Sequence, residues 1–105
     1  MGEILTTNER VIFYRIANEF GSVDEGSEES NITFKGSVAH ELTQRLEDKT
    51  GLRDIILCSL NALNGKLYRL HSLLPPYMIM HVVIVQSSSK CKVISSFIYF
   101  YGVYI

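Results

Sequence analysis

Five side chains carry most of the reactive chemistry this sequence offers: Cys58, Cys91, His40, His71 and His81. A thiol becomes a nucleophile when a neighbouring imidazole takes its proton. Cys58 and His81 lie in two apolar runs, "DIILCSL" and "MIMHVVIVQ", that both have the composition of strands. Adjacent strands would bring the two side chains together, although a buried thiol near an unrelated imidazole explains the same residues without catalysis. The cysteines lack CxxC spacing, and there is no HExxH, paired Cys/His set or Asp-rich loop. The sequence therefore implies neither a metal site nor a cofactor. GxGxxG, P-loop and GxSxG motifs are also absent, and the expectation is a protein that is not an enzyme and has no catalytic residues.

Two modification signals accompany this thin chemistry. "MGEILT" fits the myristoylation pattern through Gly2 and Thr6, but Glu3 directly after the glycine favours a chance match. Asn31-Ile32-Thr33 is a glycosylation sequon. With no basic segment leading into an apolar stretch at the start, a secretory route is not expected. The cysteines are then expected to be reduced and the location cytoplasmic.

The 105 residues suit one domain with a modest core, and 47% apolar with 20% charged residues is a globular composition. A net charge of −1 and no alternation of basic with aromatic residues exclude a nucleic-acid platform. Charge is unevenly spread: all 11 acidic residues lie at or before Asp54, while Lys66, Arg69, Lys90 and Lys92 are the only charges beyond it. No run reaches the roughly 20 apolar residues that a membrane-crossing helix needs.

The elements that must position these residues follow from periodicity. "TTNERVIFYRIANEFGS" fits a helix, with a capping box at Thr6 and Glu9 and a stripe of Ile12, Ile16 and Phe20. It also fits a strand through its β-branched and aromatic run. The strand is preferred, because a helix here would leave the next strand short of partners. Residues 21–30 form an acidic Gly/Ser-rich loop, expected to be mobile. "NITFK" reads as a short strand. Ser37 suits a helix N-cap, with Val38, Leu42 and Leu46 on one face, Ala39 widening the stripe, and Gly51 as the stop.

"DIILCSL" reads as a central strand, with either Ile55 and Leu57 or Ile56 and Cys58 facing the helix. Asn64-Gly65 is the strongest turn signal. "KLYRLHSLL" is a short strand or irregular, ended by Pro75-Pro76, and "MIMHVVIVQ" is a further strand. The expected organisation is a single α+β domain over 1–86, a small mixed sheet packed on one helix, followed by a polar spacer and apolar β-prone tail over 87–105. The aromatic cluster of that tail, Phe97, Tyr99 and Tyr101 above all, is the candidate partner-binding site. A strand packed on the sheet, an interface strand and an alternative C-terminus all fit it.

This order of elements resembles the β-grasp, the ubiquitin-like fold. "VAHELTQRLEDKTGL" is similar to the ubiquitin-like helix with its acidic-Lys-x-Gly stop at Asp48, Lys49, Thr50 and Gly51. "DIILC" resembles the third strand, "LNGKL" the loop after it, "YMIMHVVIVQ" with His81 the last strand, and "IFYRI" the first. The resemblance covers about residues 10–86 and implies a non-catalytic protein-interaction module, an adaptor. Conjugation needs a terminal Gly-Gly, whereas this sequence ends Gly102-Val103-Tyr104-Ile105. "MHVV" also resembles membrane-anchored ubiquitin-fold proteins, but Cys91 does not form their prenylated terminal box.

A second resemblance covers residues 37–61. There "LTQRLEDKTGLRDIILCSLN" is similar to small proteasome assembly chaperones of the fourth type, through Leu42, Arg45, Leu46, Lys49, Thr50 and Ser59. It implies binding to a proteasome subunit as part of a heterodimer. Under either resemblance the partners are other proteins.

Overall fold

The computed structural model describes residues 9–20, 22–23, 29–90 and 93–94. Their order is β1 (Glu9–Ile16), β2 (Ser30–Lys35), α1 (Ala39–Thr50), β3 (Ile55–Leu60), β4 (Leu67–Arg69), β5 (Ile79–Gln86) and β6 (Val93–Ile94). The architecture is α+β: one helix packed on a six-stranded mixed sheet with strand order β2-β1-β5-β3-β4-β6. β1 and β5 run parallel at its centre, as do β4 and β6 at one edge, and the other pairs are antiparallel.

The ambiguous N-terminal run is the strand β1, which pairs with β2 in the register Ile12↔Ile32. Eight residues of β-branched and aromatic character outweigh the capping-box spacing because both ladder edges of β1 find partners. β1 is followed by a reversal built on Asn18, whose Oδ1 accepts hydrogen bonds from the N–H groups of Phe20 (2.8 Å) and Ser22 (3.0 Å).

The helix begins one residue later than the expected Ser37 cap. Val38 occupies the N-cap position in extended geometry, with no side-chain cap. The reason is a bridge to the segment before Pro75: Ala39 N–H donates to Ser72 O and Leu74 N–H to Ser37 O, both at 2.8 Å. That pairing holds the chain extended through Val38 and satisfies the first helical N–H from outside. It also leaves Val38 exposed, so Leu42 and Leu46 alone carry the fully buried stripe, with Ala39 beside them.

Glu47 joins the end of the helix to the start of β3. Its carbonyl accepts from Gly51 N–H at 2.8 Å, and Gly51 turns the chain at φ 79°. Its Oε2 accepts the Ile55 N–H at 3.4 Å. Between β3 and β4, Asn61 N–H donates to Lys66 O at 2.9 Å, and Gly65 adopts φ 72°. Asn64-Gly65 thus belongs to a longer loop capped by Asn61 rather than to a two-residue hairpin turn.

Each face of the sheet carries an apolar cluster. Ile12, Tyr14, Phe34, Ile55, Leu57 and Ile84 pack with Leu42 and Leu46 between sheet and helix. Burying each leucine contributes about 1.5–3 kcal/mol. The alternate residues Cys58, Val83 and Val85 form a second cluster on the opposite face with Ala17, Leu67, Val23, Ile56 and Val93. Val93–Ile94, within the expected tail, adds β6 beside β4. No helix among the described residues is long and apolar enough to cross a membrane.

Candidate protein-interaction site

The face of the sheet opposite the helix is covered at one end only. Strand alternation places Val11, Phe13 and Arg15 of β1 on it, opposite Ile79, His81 and Val83 of the parallel β5. Towards Val83 and Val85 the face is buried by the second cluster. Towards Ile79 it opens: Ile79 is 58% exposed and Leu60 of β3 is 52% exposed.

The centre of the open half is an aromatic pair. The rings of Phe13 and His81 stack with centroids 5.0 Å apart and planes 14° from parallel. His81 Nδ1 lies 2.9 Å from Glu29 Oε2, just before β2. That contact is an ion pair when the imidazole is protonated and a hydrogen bond donated by Nδ1–H when it is neutral. Much of the His81 side chain, at 64%, remains exposed, so the contact fixes the ring without contributing more than about 1 kcal/mol.

Beside this pair, β5 and the β3–β4 hairpin enclose a cleft of about 450 Å³. Its walls include Ser59, Tyr68, Arg69, His71, Tyr77 and His81, over an apolar floor that contains Met80. Among the described residues, no carboxylate lines it. All of its lining comes from the part of the chain beyond Asp54, where the sequence holds no acidic residue.

Of the residues the sequence brings forward, His71 and His81 meet in this cleft, whereas His40 is exposed on the first turn of α1. Cys58 is 0% exposed, opposite Val83 in the second cluster, and does not line the cleft with His81. Phe97, Tyr99 and Tyr101 lie outside the described residues, as do Gly2, Thr6 and Cys91. Among the described residues, no group of three or more His, Cys, Asp and Glu side chains gathers where it could hold a metal ion.

Phe13, Leu60, Tyr68, Tyr77 and Ile79 were not apparent as site residues from their types alone. The alternation in "RVIFYRI" does put Phe13 on the face opposite Ile12 and Tyr14. Which face the helix covers depends on packing, and no local pattern states it. Comparison with family models, with curated proteins and with solved structures finds no match for the chain.

Proposed function

We propose that this protein is a non-catalytic, ubiquitin-like interaction module of the β-grasp type that binds partner proteins through the open half of its sheet. The fold reading is supported by a helix inserted between β2 and β3, a parallel β1–β5 pair at the sheet centre, and the order β2-β1-β5-β3-β4. The observation that carries the function is the stack of the exposed His81 ring on the half-buried Phe13, flanked by the exposed Ile79 and Leu60. Exposed apolar side chains around an aromatic centre, with a polar rim such as Glu29, are the composition of a protein-binding patch.

The test is affinity purification with the full chain and with Phe13→Ala/Ile79→Asp. Partners recovered by the wild type and lost with the variant, which keeps its circular dichroism, support the reading. Partners retained by the variant overturn it. The similarity of residues 37–61 to proteasome assembly chaperones makes a distinct forecast: proteasome α subunits would be recovered as part of a heterodimer.

A further inference from the structure

The two halves of β5 differ in what their backbones meet. In a parallel ladder, alternate residues of a strand direct both N–H and C=O to the same neighbour. Val11 N–H donates to Met78 O (2.8 Å) and Ala17 N–H to Ile84 O (2.9 Å), which sets the phase. Met80, Val82 and Ile84 therefore turn their main-chain groups to β1, and Ile79, His81, Val83 and Val85 turn theirs away from it, to the β3 side. Val83 and Val85 pair there with Cys58 and Ile56, and the ladder ends at Cys58↔Val83. Ile79 and His81 lie beyond that end. Among the described residues, Ile79 and His81 thus present a strand edge inside the six-stranded sheet, and the 450 Å³ cleft adjoins it.

We propose that this cleft binds an extended acidic peptide segment of a partner protein, which pairs its main chain with Ile79 and His81 and sets a carboxylate against Arg69. This inference rests on the partner-binding reading above and names the form of the partner. A main-chain edge selects an extended peptide, because its N–H and C=O groups match those of a strand. From Ile79 to His81 the edge runs about 7 Å, one full repeat of such a ladder. Charge selects the acidic partner: Arg69 is the cationic side chain of the cleft, and none of the described residues that line it is acidic, while the one carboxylate at its margin, Glu29, is already engaged by His81 Nδ1. Bidentate pairing of a guanidinium with a carboxylate adds direction as well as attraction. Tyr68 and Tyr77, the latter 62% exposed, offer aromatic walls for the peptide side chains.

Two measurements on the full chain test this. The first is amide hydrogen exchange of the free protein. Ile79 and His81 are expected to exchange about a hundredfold faster than Val83 and Val85. Equal protection would mean that the edge is already paired and would overturn the proposal. The second is selection from a random octapeptide library displayed on phage. Peptides rich in Asp and Glu are expected, and binding should slow exchange at Ile79 and His81. Arg69→Glu, in a variant shown to fold, should weaken them about tenfold, as should N-methylation of a pairing residue.

No selected peptide, or peptides indifferent to both changes, would overturn the proposal. Protection of the same amides by self-association, seen in sedimentation, would make a second copy the occupant and also overturn it. Partners that are lost with Phe13→Ala/Ile79→Asp but retained with Arg69→Glu would leave the interaction patch standing and remove the peptide cleft.

Discussion

Phe13 and His81 face each other across the parallel pair of central strands, their rings stacked at 5.0 Å, while Glu29 reaches Nδ1 of the imidazole. The stack lies on the uncovered half of the sheet, so it contributes more to surface shape than to the core. Phe13→Ala is expected to weaken partner capture by about 1–2 kcal/mol. Because Phe13 is half-buried, the substitution should also lower folding stability, by about 1–3 kcal/mol. Titration calorimetry with a recovered partner, beside a urea melt, separates the two effects.

Leu46 is fully buried between helix and sheet. Leu46→Ala should destabilise the fold by about 2–5 kcal/mol through lost burial and the cavity left behind. Leu63→Ala is the control, because that side chain is exposed, and a change within about 0.5 kcal/mol is expected. The midpoints of urea unfolding report both.

Gly51 holds a left-handed conformation with no atom near the position a Cβ would take. The penalty for Gly51→Ala is therefore conformational rather than steric, about 1–2 kcal/mol. Gly51→Asn should lose less than Gly51→Ala, since asparagine tolerates this region. A reversed order in thermal melts would show that something other than backbone conformation decides the site.

Arg10 is 6% exposed on the helix side of β1. Its Nη1 donates to Pro75 O at 2.6 Å and meets Met80 Sδ at 3.4 Å, while its buried Nε has no hydrogen-bond partner among the described residues. No carboxylate among the described residues forms a salt bridge with it, so the desolvation of the guanidinium is poorly offset. Arg10→Met should be neutral or stabilising by about 1 kcal/mol. Arg10→Ala, which empties the same space, should cost about 2–3 kcal/mol. Chemical denaturation of the two variants checks the contrast.

Cys58 is enclosed by Val83, Val85, Leu67 and Ala17, and its Sγ lies 3.9 Å from Ile56 O. In a Cys91→Ser background, a thiol reagent is expected to modify Cys58 no faster than the protein unfolds. Rapid modification of the native state would instead revive the nucleophilic reading of Cys58 with His81.

The sequence by itself determined the elements whose identity is local. The four-residue spacing of Leu42 and Leu46, the stop at Gly51 and the apolar runs of β3 and β5 follow from periodicity and backbone preference within single segments. The turn around Asn64-Gly65 is local in the same way, although Asn61 made its loop longer than the dipeptide implied. Tertiary structure decided the rest. "RVIFYRI" became a strand because β2 and β5 both pair with it, and the helix start moved past Ser37 because the segment at Ser72–Leu74 bridges to it. The candidate site is wholly of this second kind. Phe13, Glu29 and His81 lie far apart in sequence, and the cleft exists because the β3–β5 ladder ends at Val83. Strand order and ladder length depend on contacts between distant segments, which no periodicity within one segment encodes.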